Sequence, residues 1–246
     1  MNNHEPNPKK FYDEVMPDKL GGNYEDARWR ATQLQHAQYD MTARTIRRHV
    51  LPVLKNSTNI LEVGPGPGTW TRLLLSDNPN ARYTLVDISA TMLAQARSGL
   101  AQNANVTFVE SDLLRFSANE KFDGFFSSRA IEYMPDKAAV SGKIASLLSS
   151  GAYGAVITKT PKDFFNSLRG RNVSDLHGGQ VAPRELTNLL QKAGLEIIGV
   201  YAATATLPVI GSAFMNRILF GLMGRFRLFY PLTLLTESYC VVFKKP

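Results

Sequence analysis

Apolar and polar positions along the chain follow two periods, and the switches between them mark out its elements. Asn59–Val63 is a short, mostly apolar run that reads as a buried strand. It breaks into glycines and prolines, and Thr71-Arg72-Leu73-Leu74-Leu75 resumes at helical spacing to about Ser76. Arg82–Val86, closing in Asp87, reads as a second strand, and a helix follows over about Ala90–Leu100 with Ser89 as its N-cap. Val106–Glu110 is a third strand and Phe122–Phe126 a fourth. A helix over Asp136–Leu148 leads through Gly151 into a fifth strand, Ala152–Thr158. Beyond an irregular basic segment, Lys159–Pro183, the run Pro183-Arg184-Glu185-Leu186 opens a helix that Ala193-Gly194 ends. Leu195–Tyr201 and Ser238–Phe243 are the last two strands. Strands alternating with helices predict an α/β fold, a doubly wound, mostly parallel seven-stranded sheet with helices on both faces.

Two regions depart from this rhythm. Met1 to about Gly22 is polar and rich in Asn, Pro and Lys, with Phe11-Tyr12 as its aromatic pair, and reads as an arm that docks through those rings. Tyr24–Leu51 is helical in pattern, with Trp29, Tyr39, Ile46 and Val50 on one face and Leu34 and Met41 on another, and Pro52 at its end. Residues 1–54 are therefore read as an arm and helical cap, and 55–246 as the main domain. The second departure is an apolar insert, 204–237, ahead of the last strand. From Ile197 to Thr236 there is no Asp or Glu, while Arg217, Arg225 and Arg227 add positive charge. Phe214, Ile218, Leu219, Leu222 and Phe226 would share one helical face. Pro208, Asn216 and Arg217 make a transmembrane helix a poor reading. An anionic membrane surface, a lid over an apolar pocket and a dimer contact are the three readings of this insert.

Composition narrows the function classes. A net charge of +7 and a pI near 9.5 favour acidic partners without choosing among them. The single cysteine, Cys240, excludes an internal disulfide and a cysteine-based zinc cluster. A polar N-terminus without an apolar core argues against a secretory signal, so the expected setting is cytoplasmic, with the inner face of a membrane as the peripheral option.

The chemistry gathers at the glycine-rich turn after the first strand, Glu62-Val63-Gly64-Pro65-Gly66-Pro67-Gly68-Thr69. A dinucleotide fingerprint needs glycine at the sixth position from Gly64, where Thr69 stands. A phosphate-cradling P-loop needs a lysine that is absent. Glycines at alternate positions after an acidic residue, with Asp87 closing the second strand and Ser111-Asp112-Leu113 after the third, resemble the class I S-adenosylmethionine-dependent methyltransferases. The resemblance covers about Ile60 to Lys159 well and Pro183–Tyr201 moderately. It implies a Rossmann-like methyltransferase fold and cofactor contacts from Glu62, Gly64, Gly66, Gly68, Asp87, Ile88, Asp112, Leu113, Ser128 and Arg129. Glu62 would serve the methionine amino end, Asp87 the ribose hydroxyls, Ile88 the adenine face, and Asp112 the adenine amino group. In that family, N-terminal helices often close over the cofactor, which makes Tyr12, Trp29, His36 and Tyr39 candidates for the pocket wall.

The implied reaction is attack on the methyl carbon of S-adenosylmethionine with release of S-adenosylhomocysteine, and no metal is required. Tyr133, in the segment after the fourth strand, and His177, in the loop after the fifth, are the candidate catalytic residues. The expected acceptor is a small molecule, apolar or lipid-linked. Nucleic acid is disfavoured because the chain has no Asn/Asp-Pro-Pro-aromatic motif. The readings kept beside methyl transfer are a non-catalytic cofactor-binding protein, a membrane-surface adaptor and, against the glycine spacing, a dehydrogenase.

Overall fold

The computed structural model describes residues 7–15, 24–161, 179–206, 212–228 and 236–246. Among these, seven strands form one sheet in the order β3-β2-β1-β4-β5-β7-β6. β1 (Asn59–Val63), β2 (Arg82–Asp87), β3 (Val106–Glu110), β4 (Phe122–Ser128) and β5 (Leu148–Lys159) run parallel. β7 (Thr236–Lys244) lies antiparallel between β5 and β6 (Glu196–Ala205). The doubly wound, mostly parallel sheet read from the sequence is the sheet the protein has. Strand order reverses between β1 and β4, where Val63 is flanked by Val86 on one side and Ser127 on the other. In open α/β sheets a ligand crevice forms at such a switch point, outside the carboxyl ends of the strands.

Strand periodicity divides the core into two layers. Leu61, Phe125, Val156 and Val241 point to one face; their chain neighbours Ile60, Phe126, Ala155 and Val242 point to the other. Both sets are buried, which accounts for the near-continuous apolar runs in the sequence. α7 (Lys137–Leu147) and α8 (Pro183–Lys192) cover the first face through Val140, Ile144, Leu186 and Leu190, and α5 (Thr69–Asp77) lies on the second through Trp70 and Leu74. α6 (Ala90–Gly99) begins where the sequence indicates: the Ser89 hydroxyl accepts the Met92 amide at 3.1 Å.

The helical run Tyr24–Leu51, whose loose pattern allowed more than one helix, is divided. α2 (Tyr24–Trp29) ends before Thr32, whose hydroxyl caps α3 (Gln33–Thr45) by accepting the Gln35 amide at 3.2 Å. A wider π turn, Ile46–Val50, then leads into α4 (Leu51–Leu54), with Pro52 in its first turn. Trp29, Ile46 and Val50, with Tyr39 against them, still form one apolar face on the second layer, while Met41 packs elsewhere and Leu34 is exposed. β5 starts at Leu148, ahead of Gly151, because Leu148 already pairs with Phe122.

Within the insert, α9 (Ala213–Met223) docks on α3. Phe220 packs with Ala37 and Met41, and Arg217 holds Asp40 at 2.7 Å. Leu219 turns toward this contact, so it leaves the face it was expected to share; Phe214, Ile218, Leu222 and Phe226 remain exposed. No helix among the described residues is long and apolar enough to cross a membrane.

Candidate functional site

The turn after β1 is built from left-handed backbone. Gly64, Gly66 and Gly68 have φ of 69°, 55° and 80°, a region that an L-residue enters only at a cost. At Gly64 a second restriction applies, since a Cβ would lie 2.2 Å from the Ala130 Cβ, so the turn touches the segment after β4. At Gly66 a Cβ would meet nothing within 4 Å. Gly68 is the N-cap of α5 and offers no side chain, which leaves the first amides of that helix facing the crevice without a side-chain cap.

Beneath the turn lies a group of buried polar atoms. Glu62 Oε2, Thr69 Oγ1, Thr71 Oγ1, Ser127 Oγ and Ser128 Oγ are all buried and make no hydrogen bond. They come from the ends of β1 and β4 and the first turn of α5. A buried polar group without a partner costs roughly 1–3 kcal/mol, and two of the five, Thr69 and Ser128, line the cavity over these strand ends. Burial pushes the Glu62 carboxyl up to about 8; the nearby Thr71 hydroxyl opposes this and the Asp87 carboxylate adds to it. Asp87 is pushed up to about 6, again by burial, against amide hydrogen bonds led by Ser89. Its Oδ1 accepts the Ser89 amide at 3.0 Å and its Oδ2 the Gly66 amide at 3.1 Å, so this carboxylate ties the glycine turn to the end of β2.

A cavity of about 280 Å³ opens over these strand ends. Gly64, Gly66, Asp87, Ile88, Asp112, Leu113, Ser128, Arg129 and Tyr133 all line it. Glu62 and Gly68 lie outside its wall, one beneath the turn and the other capping α5. Asp112 Oδ1 accepts the Leu114 amide at 2.7 Å, which fixes its carboxylate at the rim. Of the cap residues expected in the wall, Tyr12 and Trp29 are there. Tyr39 instead stacks on Trp70 at 5.1 Å, and His36 lies on α3 beside Asp40 and Arg217. His177 falls outside the described residues.

The arm closes the cavity through polar contacts that no local pattern announces. α1 (Pro8–Lys10), continued as a π turn through Phe11–Val15, sets Lys9 against the Ile88 carbonyl at 3.0 Å and Glu110 at 2.5 Å. Asp13 Oδ1 accepts the Ser89 hydroxyl at 2.6 Å and the Thr91 amide at 3.1 Å, extending the cap of α6. The Tyr12 hydroxyl meets the Tyr133 hydroxyl at 2.9 Å, the two rings crossing edge to face. From the cap, Glu25 pairs with Arg72 of α5, and Arg72 also donates to the Pro67 carbonyl at 3.2 Å.

Tyr12, Tyr24, Arg28, Arg129 and Tyr133 form a partition, because behind them lies a second chamber of about 400 Å³ that they also line. Lys159 of β5, Glu237 of β7, and Gln35 and Gln38 of α3 complete it. Arg129 stands at φ 63°, the one positive-φ non-glycine among the described residues, and its Nε bonds Glu132 Oε1 at 3.2 Å. Glu132 is buried, which pushes its carboxyl up, but Arg129 and Lys159 hold it below its ordinary value; its Oε2 takes the Thr158 hydroxyl and the Lys159 amide. Sequence reading missed this chamber, since Arg28, Lys159 and Glu237 are far apart in the chain and none sits in a motif.

Residues 60–151 match the model of a family described as a methyltransferase domain. The malonyl-[acyl-carrier protein] O-methyltransferase 1 of Ilyobacter polytropus is 32% identical over 111 residues, 45% of this chain and 41% of that protein. The chain thus spans about two fifths of the length of this curated relative. Among solved structures, the N-methyltransferase NodS of Bradyrhizobium japonicum in complex with S-adenosyl-L-homocysteine superposes with a TM-score of 0.62 at 15% identity, over 94% of this chain and 97% of that one. The [4+2]-cyclase SpnF superposes with a TM-score of 0.66 at 17% identity, over 97% and 95%. These likenesses establish the fold. The family match lies over the strands that build the glycine turn, so through residues 60–151 the chain is similar to methyltransferase domains, as the sequence resemblance implied.

Proposed function

We propose that the protein transfers a methyl group from S-adenosylmethionine to a small-molecule acceptor held in the second chamber. The observation that carries this reading is the set of buried, unpartnered polar atoms beside the left-handed glycine turn, next to a strand-end carboxylate at Asp87. Those residues fit the cofactor: Glu62 and the turn for its methionine end, Asp87 for its ribose hydroxyls, Ile88, Asp112 and Leu113 for its base. When bound, the cofactor supplies a methyl group on a cationic sulfur, which leaves without further activation.

The chain's own part is then alignment and exclusion of water. Tyr12 and Tyr133 close over the partition from the arm and from the segment after β4. Burial pushes the Tyr133 phenol up to about 12, so at neutral pH it is a hydrogen-bonding group and a poor base. Among the described residues no histidine lines either chamber; His49 stacks on Tyr201 and faces the Gly224 carbonyl. His177 stays a candidate base from the sequence. The cyclase among the structural neighbours is a reminder that this fold alone does not name a reaction.

Calorimetric titration with S-adenosylhomocysteine is the test. Micromolar binding that Asp87→Asn weakens tenfold or more supports the reading. Absent binding, or tighter binding of NAD, overturns it.

A second reading concerns location. Phe214 and Leu222 are each 68% exposed and Phe226 65%, with exposed Arg225 and Arg227 beside them, a composition suited to an anionic lipid surface. In this reading the enzyme works at the cytoplasmic face of a membrane on an apolar or lipid-linked acceptor. Co-sedimentation with anionic vesicles that survives high salt and is lost in Phe214→Ser/Leu222→Ser supports it, and no sedimentation sinks it.

A further inference from the structure

The second chamber is too polar and too positive to be a plain apolar acceptor pocket. Arg28 from α2, Arg129 after β4 and Lys159 at the end of β5 converge on it. Two carboxylates answer these three cations. Glu132 is committed to Arg129 through the 3.2 Å contact and takes the Lys159 backbone amide with its other oxygen. Glu237 accepts the Gln38 side-chain amide at 2.8 Å. Among the described residues neither Arg28 nor Lys159 has a carboxylate oxygen within salt-bridge distance. Arg28 has instead a long 3.4 Å bond to Gln38 and lies 4.1 Å over the Trp29 ring. Among the described residues one positive charge is left over in a half-buried, aromatic-lined space.

We propose that the acceptor is a small carboxylate whose anionic group sits between Arg28 and Lys159, with its apolar body against Phe11, Tyr12 and Tyr24. This rests on the methyl-transfer reading and specifies the acceptor's class. Arg28 lines both chambers, so an anion held there lies at the partition through which the methyl group must pass. A buried cation without a counter-ion is costly, and an incoming carboxylate removes that cost while gaining charge-assisted hydrogen bonds. Burial and the neighbouring Arg129 hold the Lys159 ammonium down to about 8. Glu132 and Glu237 pull the other way and Arg28 adds to the depression. The aromatic wall sets the size and flatness of the body; the cations set its charge.

The test uses the full chain at pH 7 with two probes of the same shape, phenylacetate and neutral phenylacetamide. Binding of S-adenosylhomocysteine is measured first. If it fails, the methyl-transfer reading falls and the acceptor proposal with it. With that cofactor product saturating, phenylacetate is expected to bind about tenfold or more tightly than phenylacetamide, the equivalent of one charge-assisted contact. Lys159→Met is expected to abolish the difference with the S-adenosylhomocysteine affinity retained, and Lys159→Arg to keep most of it. Because Lys159→Met is a buried change, Glu237→Gln supplies an independent arm. Removing the one nearby carboxylate not paired with Arg129 is expected to tighten phenylacetate binding severalfold and leave phenylacetamide unchanged. Equal affinities of the two probes in a protein that binds S-adenosylhomocysteine overturn the proposal, as does a Glu237→Gln variant with unaltered phenylacetate affinity.

Discussion

Glu62→Gln separates stability from function at the site, and its effect has a calculable dependence on pH. Glu62 is 1% exposed, its Oε2 has no partner, and burial lifts its carboxyl from 4.5 to about 8. The folded protein therefore retains a proton that the unfolded chain has released. Where the unfolded state binds fewer protons than the native state, stability falls as pH rises. The window runs from about 4.5 to about 8; the contribution is fully present below it and lost above it. Glutamine imitates the protonated carboxyl in size and neutrality and does not titrate. The stability difference between Glu62→Gln and wild type should then grow by about 1.4 kcal/mol per pH unit, the free energy of one proton. Urea unfolding at pH 6, 7 and 8 reads it by linear extrapolation. This range lies at or above the titration of Asp87 near 6, which otherwise occurs in both proteins and largely cancels. The growth should slow as pH reaches 8. The same substitution should weaken S-adenosylhomocysteine binding at pH 8, so the more stable protein is the poorer binder. A stability difference that stays constant from pH 6 to 8 would refute the account of Glu62 as a buried, proton-holding carboxyl.

Three further outcomes follow from described contacts. Gly64→Ala combines left-handed backbone with a Cβ 2.2 Å from Ala130 and should cost roughly 2–5 kcal/mol in urea unfolding, whereas Gly66→Ala, with open space, should cost about 1–2 kcal/mol. Asp13→Asn weakens the contacts to Ser89 and Thr91 and should speed S-adenosylhomocysteine release severalfold in stopped flow, with global stability changed by about 1 kcal/mol or less. Phenylacetate affinity should decline as pH rises through about 8, where Lys159 loses its proton, and Lys159→Arg should flatten that profile.

Much of the sheet was legible because buried parallel strands carry unbroken apolar runs. β1 and β3 have the bounds read from the sequence, and Ser89, Pro183 and Gly194 mark helix ends through chemistry confined to a few residues. Gly64, Asp87 and Asp112 were legible for a related reason: each sits where a strand runs out, a place the local pattern reveals. The chamber was not legible. Its charges come from α2, the segment after β4, β5 and β7, elements far apart in the chain that only the folded sheet and cap bring together. The apolar or lipid-linked acceptor was expected from the insert, whose apolar face the sequence pattern does reveal. The exposed stripe of α9 sits on the side of that helix away from α3, while the chamber mixes aromatic rings with charged and amide side chains.

The place of β7 within the sheet has a consequence for how the chain assembles during synthesis. Among the described residues β7 is the only strand that pairs with β6, and β7 is made after every other strand of the sheet. While the ribosome is still producing residues 206–235, β1 to β5 have all their partners for a parallel sheet, but β6 has no strand partner and the outer edge of β5 is open. The emerging protein therefore passes through a stage with one orphan strand and one exposed edge, the surfaces that most readily capture another chain. Arrival of Thr236–Lys244 closes both at once by inserting between them. It also delivers Glu237, the one carboxylate among the described residues that line the second chamber, so that wall is finished only as the sheet is completed.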